Sequence, residues 1–373
     1  EIRSALERAG DMQIVDDAEK FELVEVLGIG TFGQAELRRV ADSDGASDGS
    51  FIVIKRVPLQ KLSDWAIGAL VGEVTNGAAM RHPHIVQLFG AYLSRRNELC
   101  LALQYAAGGT LDDTIKFQEQ RGPFPVDFIT TWLSQLCSAV QYMHDQRVLH
   151  RDISSGNVFL SFGGDILLGD LGLSRQLGAG DAVGATKVKT QVGTPPYMSP
   201  ELVTGQDYGT SSDVWAVGVV LFEMLALCRP FTGDNFMTIA TLIGKGDPTP
   251  DAKNALELSG HPAELRALAG ARGLLNPDRQ ERTLLTKVIS LYPMEAKTKE
   301  EEDEDAQKDD AVKRLLAGPL RPASQRGPTQ LDILMENEST CPPPSCAGSF
   351  CGGSSSYAGS SCASSFAPSS YAG

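Results

Sequence analysis

The sequence predicts an α+β protein of two lobes, a small antiparallel sheet followed by a larger, mainly helical lobe. Three observations predict it. Between Phe21 and about Leu103 the apolar residues fall in short runs, FELVEVLGIG, QAELRRV, FIVIKRV, HPHIVQLFGAY and ELCLALQYA. Short apolar or alternating runs bounded by glycine-rich and polar turns read as strands. From about residue 110 the pattern turns helical: FITTWLSQLCSAVQYMHDQ has apolar residues at 128, 129, 132, 133, 136, 137, 140 and 143, the 3.6-residue period of a buried helix. A link near 104–109 separates the two regions.

The bulk numbers bound the rest. At 373 residues, 42% of them hydrophobic, the chain has room for about two domains, or one large one with tails. No run approaches 18 apolar residues, so no transmembrane helix is expected. The net charge is −14, and half of that excess lies in residues 300–310, which hold eight acids and one lysine. The remainder is mildly acidic, which argues against nucleic acid as a partner. Cys100, Cys137 and Cys228 sit in apolar contexts and read as buried thiols, and nothing in the cysteine pattern requires an oxidising compartment, so a cytosolic setting is expected.

In chain order, residues 1–20 are polar and weakly patterned, a lead-in to the first strand. FELVEVLGIG runs into a glycine-rich turn and QAELRRV returns from it; after the loop ADSDGASDGS comes the apolar strand FIVIKRV. Gly28, Gly30 and Gly33 fit G-x-G-x-x-G, here between two strands rather than between a strand and a helix, which is not the dinucleotide-binding arrangement. The glycines gain meaning from Lys55 on the third strand and Glu73 eighteen residues later, in a segment that reads as helical. A lysine that grips nucleotide phosphates needs a carboxylate to hold it.

The stretch HRDISSGNVFLSFGGDILLGD, from His150 to Asp170, carries the chemistry. Asn157 follows Asp152 by five residues, and Asp170 follows it by eighteen. Phosphoryl transfer needs these residue types: one carboxylate to accept the acceptor's hydroxyl proton, and an amide and a second carboxylate to hold Mg²⁺ on the phosphates. NVFL and DILLGDL read as short strands joined at Gly163-Gly164, a hairpin that can set Asn157 beside Asp170.

In this order and spacing, the glycine loop, Lys55, Glu73, His150-Arg151-Asp152, Asn157, Asp170-Leu171-Gly172 and Ser199-Pro200-Glu201 resemble a eukaryotic protein kinase. The resemblance covers roughly residues 21–293. HPHIVQLFG, RVLHRD, NVFL, GDLGLSR, VGTPPYMSPE, ELRAL and NPDRQER are most similar to the NIMA-related (Nek) serine/threonine group. It implies the two-lobed kinase fold, with an N-lobe over about 21–103, a hinge over about 104–109 and a C-lobe over about 110–293. It also implies ATP and Mg²⁺ as cofactors, protein Ser/Thr hydroxyls as acceptors, and a cytoplasmic, cytoskeleton-associated setting.

The resemblance assigns roles by residue. Asp152 is the catalytic base, Asn157 and Asp170 are the metal ligands, and Lys55 pairs with the phosphates and with Glu73. The nucleotide is enclosed by Leu27, Gly28, Ile29, Gly30, Thr31, Phe32, Gly33, Gln34, Ala35 and Val53. Leu27 and Phe159 lie above and below the adenine, Leu103 is the gatekeeper, and Gln104 and Ala106 offer backbone hydrogen bonds. Glu201 pairs with Arg282, and Asp213 braces the catalytic loop. Thr190, four residues before Thr194, matches the activating phosphorylation site, with Arg151 to meet the phosphate.

Three departures stand out. Ser154 occupies the place of a lysine that touches the γ-phosphate, so slower transfer is expected unless another charge replaces it. Glycines at 68, 72 and 77 lie in the Glu73 helix, and each costs about 1 kcal/mol relative to alanine. Gly77 stands where the family packs a large apolar side chain, so a weakly formed helix is expected unless something supports it, an activating partner being one candidate support. Ala35 and Val53 look exchanged relative to the family, a volume-conserving repacking of the nucleotide roof. These departures motivate the alternative of a pseudokinase, a nucleotide-regulated scaffold or activator.

After Pro293 the composition changes. Residues 294–338 read as an acidic, polar linker, and 339–373 as a Ser/Gly/Cys-rich low-complexity tail without metal-ligand spacing.

Overall fold

A computed structural model of the chain describes residues 21–30, 33–40, 51–60, 64–94, 96–176 and 194–294. The linker, the tail and the lead-in fall outside the described residues, apart from Met294 at the linker's start.

The architecture is the expected α+β pair of lobes. In the small lobe, β1 (Phe21–Gly30), β2 (Gly33–Val40), β3 (Phe51–Pro58), β4 (Leu88–Leu93) and β5 (Glu98–Gln104) form an antiparallel sheet in the order β1-β2-β3-β5-β4. Helix α1 (Asp64–Ala79) packs Leu70 and Val74 against Val57, Leu88, Leu99 and Leu101 of the sheet. HPHIVQLFGAY becomes a strand only from Leu88; its first half is a turn that Ile85 pins beside Leu168.

The glycine-laden helix, expected to be weak unless something supports it, runs unbroken as α1 for 16 residues. Its apolar face and the polar contacts described below outweigh the propensity deficit, because most helix stability in a folded chain comes from tertiary packing.

The chain crosses to the large lobe after Gln104. The two-residue strand β6 (Gly109–Thr110) leads into α2 (Leu111–Gln118), whose N-terminus Thr110 caps by accepting from the Asp113 amide. The helical stretch expected over about 110–149 is two helices, since the Gly122-Pro123 region interrupts it before α3 (Val126–Asp145). The hairpin of β8 (Val158–Leu160) and β9 (Ile166–Leu168) follows the short strand β7 (Val148–Leu149). Strand β10 (Arg175–Gln176) then returns beside β7.

Beyond Thr194 come α4 (Pro200–Val203), α5 (Thr210–Ala226), α6 (Phe236–Lys245), α7 (Pro250–Leu258), α8 (Ala263–Leu268) and α9 (Leu285–Leu291). DVWAVGVVLFEML is the core of the lobe, as its apolarity all round demands: α5 is buried on every side, with Trp215 stacked on Phe231. Trp132, Leu133, Leu136 and Met143 of α3 join the same core, and fully burying a side chain of this size is worth about 1.5–3 kcal/mol. Cys100 and Cys137 are buried as expected, whereas Cys228, just past the end of α5, is only half-buried. No described helix is long and apolar enough to cross a membrane.

Candidate active site

β3 and α1 position the first pair of groups. Register places Ala35, Lys55 and Leu101 in one row across β2, β3 and β5, and Leu37, Val53 and Leu103 in the next. Ala35 and Val53 therefore share the face that carries Lys55. Gly33, where β2 begins, has no alternative: a Cβ there would lie 1.8 Å from the Arg56 carbonyl oxygen. Lys55 Nζ donates to Glu73 Oε1 at 2.7 Å and to Asp170 Oδ1 at 3.3 Å, so one ammonium joins the sheet, the helix and the turn after β9.

A second contact holds α1 in place. Asn76, one turn after Glu73 and buried, donates its side-chain amide to Ser174 Oγ at 2.8 Å. Ser174 in turn donates to the Leu171 carbonyl at 2.6 Å. Gly172 helps this closeness: a Cβ there would lie 3.1 Å from Asp170 Oδ1 and 3.3 Å from Glu73 Oε2, whereas one on Gly72 would make only an ordinary contact, 3.5 Å from the Ser174 carbonyl oxygen. At Gly77 the space assigned to a large apolar side chain is filled by Leu88, whose Cδ2 would be 3.1 Å from an added Cβ. The position is closed from the sheet side by Leu88.

The catalytic-loop side is built around Asp152. Asn157 donates through Nδ2 to the Asp152 carbonyl at 2.7 Å and to Asp152 Oδ2 at 2.9 Å. Thr194 Oγ1 donates to Asp152 Oδ1 at 3.2 Å. The Gly169 amide donates to the Asn157 carbonyl at 2.9 Å, which brings Asp170 against the loop. Asp170 holds a left-handed backbone, φ 57°, and its Oδ1 accepts from the Gly172 amide at 3.2 Å. A non-glycine residue in that region costs of order 1–3 kcal/mol and persists only where its surroundings enforce it. His150, fully buried, bridges to the Gly169 carbonyl at 3.0 Å.

Buried anchors fix this loop from below. The Asp213 carboxylate accepts from the backbone amides of His150 and Arg151 at 3.1 and 3.0 Å, from His144 Nε2 at 2.8 Å and from the Tyr208 hydroxyl. Burial alone would raise its pKa, but these donors hold it below the ordinary value. Glu201 and Arg282 form a buried two-point ion pair at 3.0 and 3.1 Å. A third network was not legible in the sequence: Ser155 Oγ meets the Tyr197 hydroxyl at 2.8 Å, and Tyr197 donates to both Glu223 oxygens at 2.9 Å. Arg229 adds a contact to Glu223 at 3.3 Å.

The electrostatics favour ions at the centre. Burial would lower the Lys55 pKa, yet the carboxylates of Glu73 and Asp170 outweigh it and keep the ammonium charged. Burial likewise works against the Asp170 carboxylate, and Lys55 with the Gly172 amide holds its pKa below the usual range. Glu73 is pushed up by burial despite Lys55, with the Asp170 charge adding to the push.

The remaining expected residues distribute as follows. Leu27, Gly28 and Ile29 are exposed on β1, where Gly28 pairs with Ala35, Ile29 with Gln34 and Gly30 with Gly33. Leu103 and Gln104 end β5; the Gln104 amide donates to the Gln87 carbonyl at 2.9 Å, so the sheet has already engaged that donor. Ala106 lies between the lobes and accepts from the Gly109 amide. Phe159, on β8, reaches the position where Gly169 would carry a Cβ, 2.8 Å away, so only glycine fits before Asp170. Ser154 is buried beneath the loop, its carbonyl accepting from the amides of Asn157 and Val158. Thr31, Phe32 and Thr190 lie outside the described residues.

Comparison with known proteins fits this geometry. Residues 21–291 match the protein kinase domain. Mouse serine/threonine-protein kinase Nek9 is 32% identical over 280 residues, which span 75% of this chain and 27% of the relative. Human Nek11 is 34% identical over 262 residues, 70% of this chain and 38% of the relative. Mouse Nek1 is 34% identical over 232 residues, 62% of this chain and 18% of the relative. The chain thus spans less than two thirds of the length of each of these relatives.

Proposed function

The chain belongs to the protein kinase family, and on that premise we propose that it is a serine/threonine kinase, moving the γ-phosphoryl group of ATP to protein hydroxyls with Mg²⁺. The observation that carries the reading is the continuous set of contacts from Lys55 and Glu73 through Asp170 and Asn157 to Asp152. The relatives named above are serine/threonine-protein kinases, which supports Ser/Thr as the acceptor class.

The donor set suits both cofactors. Asp170 offers carboxylate oxygens, and Asn157, whose Nδ2 is committed to Asp152, keeps its Oδ1 as an acceptor. Hard oxygen ligands, one or two from protein with the rest from phosphates and water, are what Mg²⁺ prefers. Bound there, Mg²⁺ would neutralise charge on the phosphates. Lys55, charged and fixed by Glu73, orients the phosphates. Gln104 and Ala106 present backbone groups to the adenine edge, between Leu27 and Phe159. Asp152, held by Asn157 and Thr194, accepts the proton of the acceptor hydroxyl as the oxygen attacks phosphorus. With the groups prepositioned, catalysis is mostly orientation and charge stabilisation. Asp152, held beside that set by Asn157 and Thr194, disfavours the scaffold reading, since nucleotide binding alone needs no base for an acceptor hydroxyl. The mild acidity of the chain and the Nek likeness fit a cytoplasmic, cytoskeletal setting with protein rather than nucleic-acid substrates.

The test is transfer of radiolabelled phosphate from ATP to casein by wild type and by Asp152→Asn. Transfer by wild type that falls at least about a hundredfold in the variant is expected; equal incorporation by both proteins refutes the assignment.

A further inference from the structure

Over β2, β3 and β5 the small-lobe sheet is buried on both faces, although α1 lies on only one. Val57, Leu99 and Leu101 pack on α1, so the residues alternating with them point the other way. On that far face register aligns Glu36 with Ile54 and Arg56 with Cys100, flanked by Arg38 paired with Ile52. Ile54 and Cys100 are 0% exposed, and Ile52 is 8% exposed. Glu36 Oε2 accepts from Arg38 Nε at 2.9 Å and from Arg56 Nε at 2.8 Å, an ion network beside the apolar residues. Guanidinium groups in an outermost layer would stand in water, because burying charge is costly. Here the side chains of Arg38 and Arg56 are only 12% and 13% exposed, and that of Glu36 only 8%. Another layer therefore covers this face. Among the described helices, the one with extensive packing on this sheet is α1, on the opposite side.

We propose that this layer is supplied by residues 1–20 of the same chain, which makes the far face of the sheet an internal docking surface. Ile2, Ala5, Leu6 and Ala9 recur at i, i+3, i+4 and i+7, while Arg3, Ser4, Glu7 and Arg8 fall on the other side of the same helical wheel. Read over twenty residues the segment is polar and weakly patterned; its first nine hold one apolar stripe that matches an apolar sheet face. The size also fits. Eight residues of helix extend about 12 Å, and β2, β3 and β5 together are about 10 Å wide at about 4.8 Å per strand spacing. The segment joins β1 directly at Phe21, at the edge of that sheet, so no connection has to cross a lobe. The rival segments fit less well. ADSDGASDGS, between β2 and β3, has only two alanines as apolar side chains. The chain beyond Met294 leaves from the helical lobe and begins with the acidic run at 300–310.

Cys100 is a native probe at the centre of this face, and Cys137, equally buried in the helical lobe, is the internal control. The experiment measures alkylation of both thiols by iodoacetamide, read by mass spectrometry, in the full-length chain and its Ile2→Glu/Leu6→Glu variant. Cys100 labelling should rise at least about tenfold while Cys137 stays protected, the signature of local uncovering rather than unfolding. Unchanged Cys100 protection overturns the proposal. So does selective uncovering of Cys100 by Leu331→Glu/Ile333→Glu, which would make the C-terminal region the cover. If both thiols label together because the variant unfolds, oxidative pairing decides. Cysteine is placed singly at Ile2, Ala5, Leu6 and Ala9 of the full chain; disulfide formation with Cys100 at one of these positions supports docking, and failure at all four refutes it.

Discussion

The Asn76 amide and the Ser174 hydroxyl, 98 positions apart, meet at 2.8 Å and tie α1 to the turn that carries Asp170. The tie sits one helical turn beyond Glu73, so it bears on the same helix face as the Lys55–Glu73 pair. Asn76 is buried there, and Ser174 passes the tie on to the Leu171 carbonyl at 2.6 Å.

Loss of this tie should shift α1 away from the Lys55-paired position. A net hydrogen bond is worth about 1 kcal/mol, or about fivefold in rate. Asn76→Ala and Ser174→Ala should each lower kcat/KM by about three- to tenfold, and the double variant should lose no more than the worse single one. Steady-state kinetics on all three proteins, set out as a double-mutant cycle, checks this; additive losses would show that the two side chains act separately.

Gly77→Leu should destabilise the small lobe. A better helix former gains about 1 kcal/mol, but Leu88 already occupies the space, and overpacking costs about 1–3 kcal/mol. The expectation is a lower Tm and no gain in basal activity. A raised Tm would mean that Leu88 moves aside without cost.

Lys55→Met and Asp170→Ala should each reduce phosphoryl transfer by at least about a hundredfold, because each removes a charge that stabilises the transferring group. Both proteins should remain folded, since the far-ultraviolet circular dichroism depends on packing in the helical lobe that neither residue touches. More than a tenth of wild-type kcat in both, at saturating ATP, rules out these roles.

Glu223 should give the fold an acid-side preference. Burial pushes its carboxyl from the ordinary 4.5 up to about 7, with the Tyr197 hydroxyl and Arg229 facing it and pulling the other way. A raised folded pKa means that the contribution is complete below about pH 4.5. It is lost as the pH rises through about 7, because the unfolded chain releases the proton first. The loss is at most about 3 kcal/mol. In Glu223→Gln, stability measured by urea unfolding from pH 5 to 8 should fall less steeply than in wild type. Parallel curves would show that Glu223 ionises normally in the folded state.

Thr190→Ala should lower activity, because a phosphate at Thr190 facing Arg151 can form charge-assisted hydrogen bonds that order the loop. Phosphopeptide mapping of active protein decides between Thr190 and its rivals Thr186 and Thr194; full activity in the alanine variant excludes Thr190.

The sequence alone determined what local chemistry and chain order can specify. The strand–glycine–strand pattern, the buried period of α3, and the spacing of Asp152, Asn157 and Asp170 are each readable because short-range geometry and residue type fix them. Even Lys55 and Glu73 could be paired, since a charge on an apolar strand demands a counter-charge. Tertiary structure decided the rest. Gly77 read as a missing side chain until Leu88, eleven residues on, was seen to fill the space. Asn76 carried no signal because its partner is 98 positions away in the chain, and Ser155, Tyr197 and Glu223 joined only when three separate segments met in the core. A side chain's own type and neighbours limit what it needs; which distant group meets that need depends on how the elements pack, and that is a property of the whole chain.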